Sequence, residues 1–301
     1  MLQHLLVPLD GSPLAETVLP ACAWLARTLG ANVTLLHVIE RAAPAAVHGV
    51  RHLTEPGEAD AYLDVTARAL GSGFRITRHV HVPGEKDVAQ SIVDHAAEQD
   101  ADLIVLSTHG RGGLRHRLFG SIAQRVAAKG TVPVLLLTPG GAQGPASLAG
   151  RMVLVPLDGQ SAHEQGIPMA AELARHFGAA LHLLVVVPTL GTLTPEQAAT
   201  GQLLPGATAA LLELDQLHAG AYVEGHVARL AADGFEVTGE IARGSPTEVI
   251  LETAARVSAD IIVLGTHGRV GMDAFWTGSI APRVARRADF PLLLVPVSDR
   301  Q

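Results

Sequence analysis

The chain has 301 residues, of which 48% are hydrophobic, 17% charged and 3% aromatic, a length suited to about two domains of roughly 150 residues each. This composition excludes a disordered chain, and the scarcity of aromatics leaves the cores to Ala, Val, Leu and Ile, as in parallel sheets covered by Ala-rich helices. A net charge of −7 argues against a nucleic-acid partner, which requires a basic face, and no apolar run approaches the roughly 20 residues a bilayer demands, so the expectation is a cytoplasmic chain with no membrane contact.

Leu5 to Leu9 is a short apolar run that reads as a buried strand, with Asp10 ending it too early for a secretory signal. Pro13 to Leu29 follows at helical spacing through Leu14, Val18, Ala21, Leu25 and Leu29, with Asp10 or Ser12 as cap and Pro13 in the first turn. The only cysteine, Cys22, lies within this helix; it excludes an intrachain disulfide and reads as a small buried hydrophobe. Asn32 to Val38 is a second strand, residues 40–56 a polar loop, and Glu58 to Leu70 a helix. Arg75 to His81 is a strand, Asp87 to Glu98 a helix, Leu103 to Leu106 a buried strand, Ser121 to Lys129 a helix and Val134 to Leu137 a last strand. Strands alternating with helices predict a parallel sheet wound on both faces. Ligands of such sheets bind beyond the strand carboxyl ends where the winding reverses, here between the first and fourth strands.

The same order then repeats. Leu5-Leu6-Val7-Pro8-Leu9-Asp10-Gly11 recurs as Val153-Leu154-Val155-Pro156-Leu157-Asp158-Gly159, and Leu29-Gly30-Ala31 as Phe177-Gly178-Ala179. Asp102 to Arg111 matches Asp260 to Arg269, Gly120-Ser121-Ile122-Ala123 matches Gly278-Ser279-Ile280-Ala281, and Pro133 to Leu137 matches Pro291 to Val295. A period this long exceeds any solenoid repeat. The expectation is therefore two tandem Rossmann-like α/β domains, each an open five-stranded parallel sheet with helices on both faces. The first covers residues 1–140 and the second 151–301, joined by a Gly/Pro/Ser-rich linker over 141–150.

The loop after the fourth strand carries the chemistry. In the second copy, Gly265-Thr266-His267-Gly268 precedes a nine-residue stretch opening with Arg269, and then Gly278-Ser279-Ile280 begins a helix. Glycines let the backbone approach a phosphate, and the amides of Ser279 and Ile280 point outward at the positive helix end. Arg269 adds a full charge. In the first copy the corresponding residues are Ser107, Gly110, Arg111, Gly120, Ser121 and Ile122. His267 and His109 sit inside these loops, most simply as loop-holding residues. With Lys86 and Lys129 the only lysines, phosphate binding falls to backbone amides and Arg. One loop alone is equally well a glycine turn with a Ser cap; two of the same length at the predicted switch point favour an anion site.

This pattern (Gly, two residues, Gly, nine residues, Gly, then Ser or Thr), with Pro-Leu-Asp at the start and Pro-Val-Leu-Leu at the end, resembles the universal stress protein family in its tandem-domain form. The second copy fits it throughout, and the first departs by Ser107 for the leading glycine, so the second site is the favoured one. The resemblance implies an ATP-binding stress-response protein, with Mg2+ beside the phosphates. Asp10 or Asp158 would lie near the ribose or the metal-bound phosphates, Val38 or Val186 would meet adenine through the backbone, and the glycines and Ser would hold the phosphates. It also implies that the two domains pair within the chain through their last strands, as a pseudo-dimer, with a homodimer of chains as a further association. The Asp-Gly pairs have a plainer reading as turns leading into helices.

Several motifs are missing. There is no Gly-x-Ser-x-Gly elbow and no lysine-bearing phosphate loop, and nothing is placed to position a hydrolytic water; hydrolysis would be slow and incidental. His79 and His81 share a strand face, and His48 and His52 fall in a loop, but neither pair has a carboxylate or cysteine at zinc-like spacing. Residues 189–206 read as a lid or a variable surface excursion, and Trp276 as a loop or partner contact. The alternative function is a partner-binding scaffold that holds no nucleotide.

Overall fold

The structure is a computed structural model that describes residues 2–40, 46–47, 49–82, 87–108, 121–139, 148, 150–161, 164–193, 199, 203–267 and 280–297. The first copy forms β1 (His4–Pro8), α1 (Pro13–Glu16), α2 (Leu19–Leu29), β2 (Asn32–Val38), β3 (Ala46–Val47), β4 (Val50–Arg51), α3 (Pro56–Leu70), β5 (Ile76–His81), α4 (Val88–Glu98), β6 (Leu103–Ser107), α5 (Ser121–Lys129) and β7 (Val134–Leu137). The second forms β8 (Met152–Leu157), α6 (Gly166–Phe177), β9 (Ala180–Val187), a 3-10 turn at Leu190–Thr192, α7 (Pro205–Ala232), β10 (Val237–Arg243), α8 (Pro246–Arg256), β11 (Ile261–His267), α9 (Ile280–Arg287) and β12 (Leu292–Val297).

Two compact units result: Met1–Ala149 with His267–Gln301, and Gly150–Thr266. In the first unit the strands run β12-β7-β6-β1-β2-β5. The five strands that the first copy contributes to this sheet, β1, β2, β5, β6 and β7, are parallel throughout. β12 joins them antiparallel to β7, with Leu293 opposite Leu135. In the second unit the order is β10-β9-β8-β11, again parallel. The expected α/β class, an open sheet with helices on both faces, is what the chain adopts. Both central strands of the first copy are dry: Leu5, Leu6, Val7, Ile104 and Val105 are all fully buried.

One expected helix is two. The periodicity over 13–29 is continuous, but Thr17 and Val18 separate α1 from α2 and Pro20 occupies the first turn of α2. Proline has no amide to donate and its ring clashes with the carbonyl four residues back, so the helix restarts there. The chain leaves α2 and α6 alike through a left-handed glycine, Gly30 at φ 67° and Gly178 at φ 64°, which accounts for the repeated Gly-Ala pair.

A second repeated residue, the aspartate before the fourth strand, pins the first strand of each copy. Asp102 Oδ2 accepts from the amides of Gln3 and His4 at 2.8 and 3.0 Å. Asp260 Oδ2 accepts from those of Arg151 and Met152 at 2.7 and 2.9 Å. The polar loop over 40–56 contains the β3–β4 hairpin. In the second copy the excursion before the third strand carries α7, 28 residues long, whose Ala219 and Val223 pack on Val185 and Val187 of β9. No helix among the described residues is long and apolar enough to cross a membrane.

Candidate functional site

Strand order places β1 and β6 side by side at the centre of the first copy, β1 leading outward to β2 and β5, and β6 to β7. Helices leaving adjacent strands to opposite sides open a crevice at their carboxyl ends. A cavity of about 320 Å³ lies there. β1 and its turn contribute Pro8, Leu9 and Asp10, β2 contributes Leu36 and Val38, and β6 contributes Leu106 and Ser107. α5 supplies Ser121, Ile122 and Ala123 from its first turn, α4 supplies Val88 and Ile92, and α1 supplies Leu14 and Ala15; Glu40 and His52 complete the lining.

Five residues singled out from sequence, Asp10, Val38, Ser107, Ser121 and Ile122, thus share one cavity. Its walls are mainly apolar, with polar groups at Asp10, Ser107, Ser121, Glu40 and His52, the mixture expected of a small-molecule site. Gly110, Arg111 and Gly120, with His109, lie outside the described residues. So do Gly268, Arg269, Gly278 and Ser279 of the second loop, His48, Trp276 and most of the linker.

Backbone geometry fixes the Asp10 end. Asp10 Oδ1 accepts from the Ser12 amide at 2.9 Å, and Gly11 turns the chain at φ +84°, a conformation only glycine adopts freely. A β-carbon at Gly11 would sit 2.8 Å from Leu53 Cδ1, so the turn is also closed from above. Ser12 is the residue that caps α1, its Oγ accepting from the Ala15 amide at 3.1 Å. The second copy repeats the turn: Asp158 Oδ1 accepts from Gln160 at 3.0 Å, and Gly159 has φ +78°.

Two histidines that were not assigned to this site from sequence lie at its rim. His37, fully buried in β2, sets its Nδ1 2.8 Å from the Leu9 carbonyl and its Nε2 3.2 Å from the Leu53 carbonyl. It ties the end of β1 to the loop over the cavity. His52 is buried, and its Nδ1 has no hydrogen-bond partner among the described residues. A histidine among the apolar residues that end β2 was the available signal for His37; His52 carried none, because its position depends on how the 40–56 loop folds back.

In the second copy, Asp158 is exposed, and Val186, Gly265 and Ile280 are half-buried, near the ends of β8, β9 and β11 and the start of α9. His267 is the last residue of β11. α6 begins against the leading glycine: a β-carbon on Gly166 would stand 3.5 Å from the Gly265 amide nitrogen. Ser107, the departure in the first copy, lines the cavity.

Comparison with known proteins follows the same division of the chain. The sequence model of the Universal stress protein family matches residues 1–138 and again 151–296. A universal stress protein of Mycolicibacterium smegmatis is 27% identical across 97% of this chain and 96% of its own length. Universal stress protein MJ0531 of Methanocaldococcus jannaschii is 27% identical across 48% of this chain and 81% of its own. Among solved structures, a universal stress protein from Archaeoglobus fulgidus shares the fold at TM-score 0.67 and 20% identity, covering 98% of each chain.

Proposed function

The chain belongs to the universal stress protein family, matched in both halves, and from that premise we propose that it is a cytoplasmic stress-response protein that binds ATP. The observation that carries this reading is the cavity of about 320 Å³ that unites Asp10, Val38, Ser107, Ser121 and Ile122 at the switch point of the first copy. Its volume falls at the lower end of the range for ligand pockets, roughly 300–1,000 Å³. The strand β2 backbone at Val38 faces the adenine, the Asp10 carboxylate lies toward the ribose and phosphates, and the amides at the start of α5 receive negative charge. Asp10 and Glu40 give a hard, oxygen-only donor set of the kind Mg2+ takes alongside phosphate oxygens. Residues 109–120 complete the phosphate grip through Gly110, Arg111 and Gly120. The second copy offers the corresponding set Asp158, Val186, Gly265, His267, Gly268, Arg269, Gly278, Ser279 and Ile280.

The proposed role is binding rather than turnover, with nucleotide occupancy altering partner choice. The two sequence repeats, over residues 1–140 and 151–301, associate through their last strands, a reading supported by the antiparallel β7–β12 pairing. A homodimer of chains would then use another surface, and sedimentation of the purified chain distinguishes one copy from two.

Thermal denaturation with MgATP tests the binding directly. Ligand at about 100 times its dissociation constant stabilises the folded state by about 2.7 kcal/mol, so the midpoint rises with nucleotide concentration. Ile122→Trp, which fills the first cavity, and Gly268→Val with Gly278→Val, which block the second loop, each remove one site. Calorimetric stoichiometry then reports which copies bind. No midpoint shift at millimolar MgATP would leave the scaffold reading instead.

A further inference from the structure

Away from the cavity, the edge strand β5 and helix α4 bring three imidazoles together. His79 and His81, two apart on β5, face α4, while the alternate residue Arg78 pairs with Asp64 of α3. His95 projects from α4 between them: its ring centroid lies 4.6 Å from those of both His79 and His81, edge-on to each. One ring nitrogen from each histidine lies within 4.8 Å of the others. His95 Nε2 is 2.8 Å from His81 Nδ1, and its other nitrogen, Nδ1, is 2.9 Å from Glu98 Oε2. His95 is buried, and His79 and His81 are half-buried.

We propose that His79, His81 and His95 form a binding site for a divalent transition-metal ion of the zinc class, with Glu98 orienting His95 and the fourth position open to water. Around a tetrahedral zinc with bonds of about 2.0–2.1 Å, ligand nitrogens stand about 3.3 Å apart, so the His81–His95 pair needs to open by about half an ångström. Three imidazoles with an open fourth position suit zinc and its neighbours rather than magnesium or calcium. The Glu98 contact is the arrangement by which a carboxylate fixes a metal-binding histidine: Nδ1–H donates outward and Nε2 presents its lone pair inward.

The internal repeat supplies a control. By strand register His79 stands opposite Leu36, as Glu240 stands opposite Leu184 in the second copy, and His81 opposite Val38, as Ala242 stands opposite Val186. On the helices, His95 and Glu98 correspond to Thr253 and Arg256. There the same space holds an ion pair between Glu240 and Arg256, with His182 Nε2 3.1 Å from Glu240. The fold thus joins its third strand to the following helix without a histidine cluster. Among the described residues, three converging imidazoles are a property of the first copy alone.

Metal-free full-length protein titrated with ZnCl2 in a calorimeter tests this, independently of any nucleotide. One equivalent is expected to bind in a saturable step. His79→Ala and His81→Ala, both on a half-exposed edge strand, each weaken that step by at least tenfold, and the double variant abolishes it. Glu98→Gln weakens it by about tenfold, the usual scale for an outer partner of a ligand, and His176→Ala, an exposed histidine elsewhere, leaves it unchanged. Cobalt(II) added to the wild-type protein develops the intense visible band of a four-coordinate imidazole site. Absence of a saturable zinc step, a step undiminished in the double variant, or a cobalt spectrum like that of the aqueous ion would each overturn the proposal.

Discussion

Asp102 and Asp260 show how much a single residue type can organise. Each carboxylate takes two amides that open a central strand, groups that would otherwise be orphaned at the sheet's end. Replacing Asp260 by Ala is expected to cost about 1.5–3 kcal/mol, the scale of hydrogen bonds to a charged group, while Asn, which keeps one acceptor, costs less. Urea denaturation of the two variants checks the order. The match between Asp102 and Asp260 was plain in sequence; its cause was not, because it depends on strands 98 residues apart in the chain lying in register. Asp10, Ser107, Ser121 and Ile122 were legible because strand ends and a helix start announce themselves by pattern, whereas Val38 came from the family resemblance. His37 acts through backbone carbonyls that a strand pattern does not reveal, His52 reaches the cavity only as its loop returns, and His95 joins His79 and His81 only across the β5–α4 packing; the last two leave no local signature. Cys22 is as expected a core residue, its thiol pushed up to about 12 by burial.

Elements were readable to within a residue or two wherever apolar period and flanking turn residues agreed, as for β2, α4, α5 and β7. They were misjudged where proline chemistry cut across the period, as at Pro20, and α7, which begins at Pro205, was not anticipated. α7 is apolar on several sides and includes exposed Leu211, Leu214 and Leu217, so it lacks the single stripe that advertises a surface helix. Docking of helix on helix depends on specific charges too. Asp87 caps α4 by accepting from the Gln90 amide at 2.9 Å and reaches Lys129 and Arg125 of α5 at 3.2 and 3.4 Å. The Gln90 amide, with Lys129 and Arg125, holds its carboxyl below the usual range against the opposing pull of burial. A carboxylate depressed in the folded state stabilises above its unfolded pKa, and that contribution disappears as pH falls through the lower folded value. Asp87→Ala is therefore expected to cost about 1 kcal/mol at neutral pH. The deficit should shrink to nothing below the ordinary carboxylate range, as thermal melts of wild type and variant between pH 7 and pH 2 would record.

For the whole molecule, the duplication has been divided unevenly. Both copies start with the same strand, turn and helix, yet the compact units do not coincide with the two repeats, because residues 267–301 belong with the first. Leu293 and Leu135, paired across β12 and β7, are each 1% exposed. Leu293→Ala is expected to lose about 2–5 kcal/mol, as for other buried leucines, and to loosen β7 as well as β12. Hydrogen exchange read strand by strand should show both sets of amides accelerating together; protection lost in β12 alone would mean that the first unit closes without it. Two ancestral-looking sheets could be inferred from sequence, since each carries its own strand order, but the pairing of the last strands came only from the family resemblance, because an apolar strand reads the same whichever neighbour it joins.

That pairing has a cost in time. About 150 residues separate Leu137 from Leu292, which at ~5–20 residues/s is about 10–30 s of translation. Throughout that interval the leucine-rich rim of the nascent amino-terminal half awaits a strand the ribosome has yet to make. A newborn chain is thus exposed to mispairing with its neighbours on the polysome, and a message truncated before the β12 codons would release a protein whose first half lacks the strand that pairs with β7.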